Sequence, residues 1–444
     1  MHGRRPSPIS LLGTVGFAWL HEHGGLRFDE PFFMDPRCRL DREQAAARLV
    51  ARRFPNDPIY CFESCLVQVE GRRRPLALVG AIQPNLILGA AVGAKFVFYG
   101  DKDADITPAP LAGITDLTPL RRIDWASTWP IDLFLRQVRQ MRAELPSDYA
   151  IVPPFFWDTT GRATIHGVLT TAQKLVGEQV FLDIVDNPAF VRELFDWIAD
   201  AYARLVRLFA DAAGMRITGL HVGECSACML GPDAFAELVV PPTNKLVDSL
   251  REAPRRLPFA AASSAADSGQ CGGAGGQAPG SSGGTPDVRS SAGGHDAGPP
   301  ADAASSWETS PPVSPAPCER GAVGSASARF GLRLHSCGHS DHLLDAAAGL
   351  NGLACLNLGS GTSVSRVRRR LGDIRIDLIP DPHLLTLAGP ADVDAWARRT
   401  LEENAGGRLE FQFHLDAGQP EANGHQIART LRGLGIACPR ETVF

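Results

Sequence analysis

A histidine and a cysteine stand one residue apart in His335-Ser336-Cys337-Gly338. In an extended segment, side chains two residues apart share a face. The pair therefore presents an imidazole and a thiolate together, two ligand types that hold zinc at about 2.0–2.3 Å. Gly338 permits a sharp turn away from the strand end. His339 and His342 follow on the next loop and helix start. The spacing is equally compatible with a pocket histidine beside an ordinary thiol.

Three other segments carry chemically useful residues. Gly223-Glu224-Cys225-Ser226-Ala227-Cys228 follows an apolar run that contains His221. Glu224 could act as a general acid or base, hold substrate, or ligate metal. Cys225 and Cys228 have redox or metal spacing, but no second such pair exists, so ordinary thiols are the alternative. Phe411-Gln412-Phe413-His414-Leu415-Asp416 ends the last apolar run, and either His414 or Asp416 could complete a site begun by His335 and Cys337. The third segment is Trp157-Asp158-Thr159-Thr160-Gly161-Arg162, a polar cluster suited to substrate. Arg162 there is a natural partner for an anionic group. With His221 these give Trp157, Asp158 and Arg162 as candidate substrate contacts. The candidate metal set is His335, Cys337 and His414, with Cys355 or Cys225 left open in place of His414, and the candidate catalytic carboxylates are Glu224 and Asp416. Cys355 falls mid-strand and reads as a buried structural thiol.

The elements that must position these residues alternate along the chain. Strands are expected at 149–152, 217–222, 332–335, 353–358, 374–379 and 409–414. Helices are expected at 188–212, 233–251, 341–348, 364–371, 391–404 and 421–434, from apolar residues at helical spacing such as Phe190, Leu194, Ile198, Tyr202, Leu205 and Leu208. Gly214 should end the first of these and Pro232 should open the next. Repeated β-α units argue for a parallel sheet. No glycine-rich nucleotide turn follows the early strands, which favours an α/β fold of the closed (β/α)8 TIM-barrel kind over an open sheet. In such barrels, residues at the C-terminal strand ends point into the site. The first 145 or so residues are less regular. Helices at 42–53 and 131–145 and a strand at 59–69 suggest an N-terminal cap plus early barrel elements.

Composition bounds the rest. The chain has 444 residues, with 44% hydrophobic and 21% charged, enough for a sizeable core. Its net charge is −5, and short runs such as Arg72-Arg73-Arg74 and Arg368-Arg369-Arg370 read as solvated faces, so nothing favours nucleic acid. Ten cysteines in a chain of this size favour free thiols or metal ligands over a disulfide framework. Arg4-Arg5 and the run 9–20 faintly suggest an export signal, but Gly13, Thr14 and Gly16 interrupt it. Residues 1–28 are therefore expected to be a flexible tail. No uninterrupted apolar stretch of about 20 residues suggests a membrane span, and the cytoplasm is the default compartment. From 253 to 328 the sequence collapses into Gly, Ser, Ala and Pro, the signature of a disordered insertion. The barrel should then comprise 29–252 and 329–444, because the C-terminal part alone is too short for a barrel of about 250 residues.

The order of motifs resembles one family. Leu175-Val176-Gly177-Glu178 and Asp186-Asn187-Pro188 precede the long helix. Gly223-Glu224, Gly231-Pro232-Asp233-Ala234-Phe235 and Val240-Pro241 follow it. Then come His335-Ser336-Cys337-Gly338, Leu356-Asn357-Leu358-Gly359, Asp381-Pro382 and Gln419-Pro420-Glu421-Ala422-Asn423. This order is similar to the uroporphyrinogen decarboxylase superfamily, including its cobalamin-dependent methyltransferases, over about 30–434 apart from the insertion. The decarboxylase branch carries an N-terminal Arg-Gln-x-Gly-Arg-Tyr motif that is not found here. The methyltransferase branch carries His-x-Cys and a later cysteine as zinc ligands. His335 and Cys337 match the first two, and His414 stands near where the later cysteine would fall. The resemblance thus implies zinc, a thiol made nucleophilic by it, and methyl exchange with a corrinoid on a separate partner protein. No Asp-x-His-x-x-Gly cobalamin segment is visible, so the corrinoid would be borrowed. Other members demethylate methoxylated substrates, and a homodimer is possible. Decarboxylation of a polycarboxylate and a non-catalytic ligand-binding barrel are the alternatives.

Overall fold

The computed structural model of the protein describes residues 8–61, 75–157, 159–252 and 330–438. The expected insertion at 253–328 and Asp158 lie outside the described residues.

The first strand, β1, is Ile9–Val15, and every residue in it except Ser10 is buried. Burial on both faces is the mark of a strand inside a covered parallel sheet. This corrects the flexible tail expected over 1–28, of which only 1–7 lie outside the described residues. The interruptions that weakened the apolar run have local causes. A Cβ at Gly13 would meet the Phe413 ring at 2.5 Å, and the Thr14 hydroxyl bonds the His414 ring at 2.7 Å. Helix Phe17–Gly24 follows directly.

Eleven more strands follow: β2 (Ile59–Cys61), β3 (Leu76–Leu78), β4 (Phe96–Val97), β5 (Asp105–Ile106), β6 (Ala150–Val152), β7 (Arg162–His166), β8 (Gly219–Gly223), β9 (Gly331–Ser336), β10 (Leu353–Leu358), β11 (Arg375–Leu378) and β12 (Leu409–Leu415). Eight form one parallel sheet in the order β2-β1-β12-β11-β10-β9-β8-β7. It curls, so that Leu12 and Thr14 of β1 and Thr164 and His166 of β7 line one cavity. The arrangement is TIM-like, with helices around the sheet. Among the described residues the ladder does not close between β2 and β7. Instead β3 and β6 pair with each other, and β4 pairs antiparallel with β5.

The helices bury the stripes that their spacing predicts. Helix Pro188–Ala213 buries Leu194, Ile198, Tyr202 and Leu205 and ends on Gly214 at φ 60°. Each large apolar side chain buried in this way contributes on the order of 1.5–3 kcal/mol. The helix opened by Pro232 has a π turn at Phe235–Val239 before it continues as Val240–Arg251. Pro241 and Pro242 sit just after that turn and cannot donate to carbonyls a turn back, which matches the local widening. No described helix is long and apolar enough to cross a membrane.

Alternation along the strands decides what faces the interior. In β9, Leu332, Leu334 and Ser336 are buried, while Arg333 and His335 face the chamber. The same side of the sheet carries His221, Asn357, Arg375, Asp377, Glu410 and Gln412. Most barrel interiors are packed with branched apolar residues; this one carries polar and charged layers.

Candidate metal centre

Three adjacent strands build the centre. β8 leads through Gly223 into a 3-10 turn, Cys225–Met229, which places Cys225 at the C-terminal edge of the sheet. β9 brings His335 opposite Gly223 and then Cys337. β10 brings Asn357 opposite His335. The ligand atoms of Cys225, His335 and Cys337 all lie within 4.8 Å of one another. Cys225 Sγ is 3.1 Å from Cys337 Sγ, and Cys337 Sγ is 2.8 Å from His335 Nε2. The loop after β10 closes against this segment, since a Cβ at Gly359 would stand 1.9 Å from the Cys337 carbonyl oxygen.

The donor set decides what could sit there. Two thiols and one imidazole suit a borderline-soft cation such as zinc. Three protein ligands are also the catalytic pattern, which leaves one position for substrate. The two thiols are electrostatically unequal. Hydrogen bonding with Cys225 lowers the Cys337 thiol below its ordinary value, and the same contact, with burial, raises the Cys225 thiol. Cys228 lies beside them, its Sγ 3.2 Å from the Cys225 carbonyl oxygen, and burial raises its thiol. The seven described cysteines are all free thiols.

The centre opens on a cavity of about 460 Å³ inside the curled sheet. Trp157, Arg162 and His221, three of the expected substrate contacts, line it with His166, Arg333, Asn357, Asp377 and Gln412. His221 is braced rather than exposed to chemistry. Arg333 contacts its Nδ1 at 2.8 Å, and burial together with that guanidinium holds its pKa well below the ordinary value. Burial likewise pushes His166 down to about 4. Both rings are therefore neutral at pH 7. Cys355 is 7% exposed in β10, and burial raises its thiol to about 12, consistent with a structural role.

Two candidates stand elsewhere. His414 is not part of the three-residue group. Its Nδ1 bonds Thr14 Oγ1, and its ring lies between the main cavity and an adjoining one of about 370 Å³, which Asp416 also lines. Cys225, rather than His414, stands beside His335 and Cys337, because β8 and β9 are neighbours whereas His414 lies near the end of β12. Glu224 turns away from the main cavity, although Gly223 and Cys225 on either side line it. It is 1% exposed, and its carboxylate accepts from the Thr170 backbone N–H at 2.8 Å and hydroxyl at 3.0 Å. Thr170 lies in the first turn of helix Val168–Val176, where unpaired N–H groups and the helix dipole favour an acceptor. Gly167 makes this possible, since a Cβ there would fall 1.6 Å from Glu224 Oε2. Glu224 therefore ties the end of β8 to the start of this helix.

Burial nonetheless raises Glu224 to about 7, against the helix N–H groups that favour its charge. A carboxyl raised in the folded state binds a proton there before it does in the unfolded chain. Its contribution is therefore present below pH 4.5 and is lost as pH rises through 7. A move from 4.5 to about 7 corresponds to roughly 3 kcal/mol across that window. Glu224→Gln should flatten the decline in stability between those pH values, measured by urea unfolding. An unchanged slope would contradict the assignment.

Sequence reasoning did not single out Arg333, Asn357, Asp377 and Gln412. Their one available signal was a polar residue recurring every second position in β9 to β12, which marks an inward face. Cys225 was noted for its spacing to Cys228 and as one alternative to His414.

Comparison with solved structures finds, among others, a methyltransferase from Methanosarcina mazei, with a TM-score of 0.54 and 13% identity, covering 98% of this chain and 95% of that one. At that identity the likeness is one of fold. No protein-family model matches the sequence, and no curated protein matches it.

Proposed function

We propose that the protein is a zinc-dependent methyltransferase on a (β/α)8 barrel. It would move a methyl group between a corrinoid carried by a separate protein and a small thiol or methoxylated substrate. The barrel would comprise 29–252 and 329–444 together with β1, with 253–328 inserted before β9. The observation that carries the reading is the convergence of Cys225, His335 and Cys337 within 4.8 Å at the edge of the chamber. The fold shared with a methyltransferase supports it.

The roles divide among the chain's own residues. Cys225, His335 and Cys337 would hold the ion. Zinc supplies a Lewis acid that lowers the pKa of a bound thiol so that it reacts as thiolate. Trp157 and Arg162, across the chamber, would orient the rest of the substrate, while His414 and Asp416 would line the approach from the adjoining cavity. The curled sheet and its helices would wall the chamber side of the site, while Cys337 stays open to solvent. Decarboxylation of a polycarboxylate is less well served. Arg333 and Arg375, which line the chamber, are both engaged by Asp377, so neither offers a free cation for a carboxylate.

The test is a direct assay. Zinc-loaded protein, given free methylcobalamin and simple thiols, should consume methylcobalamin and form thioether, and His335→Ala should not. No transfer by zinc-loaded protein in either direction would contradict the reading, as would turnover of uroporphyrinogen by metal-free protein.

A further inference from the structure

A continuous hydrogen-bond chain runs from the His335 imidazole into the charged floor of the chamber, and its polarity is fixed at both ends. Arg333 can only donate, and its Nη2 lies 2.9 Å from Gln412 Oε1. The Gln412 amide must therefore turn its oxygen toward Arg333. Its nitrogen then donates to Glu410 Oε1 at 2.6 Å, which accepts. Asn357 is next. Its Nδ2 donates to the Asp377 backbone carbonyl at 2.9 Å and to the same Gln412 oxygen at 3.2 Å. Both partners can only accept there, so the Asn357 amide cannot be reversed without facing acceptors toward acceptors. Its Oδ1 must then face His335 Nδ1, 2.7 Å away, and must accept from it.

The consequence falls on the imidazole. With the proton on Nδ1, the lone pair sits on Nε2, the atom 2.8 Å from Cys337 Sγ. We infer that Asn357 is a positioning residue that fixes His335 as an Nε2 ligand and thereby sets the metal affinity of the site. This rests on the metal-binding reading above. Asn357 is 4% exposed, so its hydrogen bond to His335 is largely shielded from water. Partners of this kind, one step behind a ligand, typically change metal affinity 10–100-fold when removed. The partner here is a neutral amide, braced by Gln412 and the Asp377 backbone carbonyl rather than ionised itself.

Zinc and cobalt(II) titrations of the wild-type chain and Asn357→Leu supply the test. Asn357→Leu should bind 10–100-fold more weakly, with its fold intact by circular dichroism. Nitrogen-15 spectra of histidine-labelled wild-type protein should show His335 protonated at Nδ1 without metal and ligated through Nε2 with it. Equal affinity in Asn357→Leu and wild type would overturn the inference. So would ligation through Nδ1. Should Asn357→Leu fail to fold, the nitrogen-15 spectrum decides alone. A wild-type chain that takes up neither ion defeats the metal reading itself, and the tautomer seen without metal still reports on the hydrogen-bond chain.

Discussion

Cys225→Ser is expected to remove stoichiometric zinc from the purified protein and to lower methyl transfer by at least about 10³-fold, while the fold persists. The expectation follows from position. Cys225 Sγ is 3.1 Å from Cys337 Sγ and lies at the C-terminal edge of the sheet beside His335. A serine hydroxyl is a poorer ligand for a soft cation than a thiolate, and two remaining ligands rarely hold one. Loss of the ion removes the means of activating the thiol, which is several kcal/mol of transition-state stabilisation. Cys225 is half-buried on the chamber wall and lies outside the hydrophobic core, so stability should change little. His414→Ala is the informative control: it should leave zinc content unchanged, since His414 bonds Thr14 and is not part of the group. Elemental analysis of the two variants settles the matter. Zinc retained by Cys225→Ser and lost by His414→Ala would reverse the assignment.

The second large effect is on stability. Asp377 is 1% exposed and accepts from Arg333 Nε and Arg375 Nε, each at 2.7 Å. Burial disfavours its ionisation, but the two guanidiniums outweigh that and hold the carboxyl below its ordinary value. The pair thus stabilises the fold above the ordinary carboxyl range, and the contribution is lost as pH falls through the lowered value. Asp377→Ala leaves the buried Arg333 charge uncompensated. Breaking one side of such a pair costs about 3–5 kcal/mol, whereas replacing both partners with apolar groups is often close to neutral. Asp377→Ala should therefore lower stability by that amount in urea unfolding at pH 7, and Arg333→Met with Asp377→Leu should recover most of it. A loss below about 1 kcal/mol in the single variant would show that the charges are solvated after all. Because Arg333 orients Gln412, the single variant should also weaken metal binding.

The amino-acid sequence carried much of this architecture. The alternation of strands and helices after 149 was legible because β-α units repeat and the helices carry apolar stripes at regular spacing. Strand 353–358 and helix 364–371 have the expected limits. The first strand was not legible. Gly13, Thr14 and Gly16 look like breaks in isolation, and only the fold shows that Phe413 and His414 occupy the space they leave. The site divides in the same way. His335 and Cys337 are neighbours in sequence, so their shared face follows from strand geometry alone. Their third partner depends on which strand lies beside β9, and pairing order is not written in local spacing. That is why His414, at the end of the last strand, stood in for Cys225. Glu224 shows a related limit. Its place at a strand end suggests chemistry, but the helix N-terminus at Val168 claims its carboxylate, and sequence spacing does not reveal that approach.

The most direct measurement is zinc-edge X-ray absorption on the purified wild-type chain and its Cys225→Ser variant. The structure predicts one zinc per chain in the wild type, with two sulfur ligands near 2.3 Å and at least one imidazole nitrogen near 2.0–2.1 Å, and no ordered zinc shell in the variant. A wild-type spectrum with a single sulfur, or one that Cys225→Ser leaves unchanged, would contradict the centre of Cys225, His335 and Cys337.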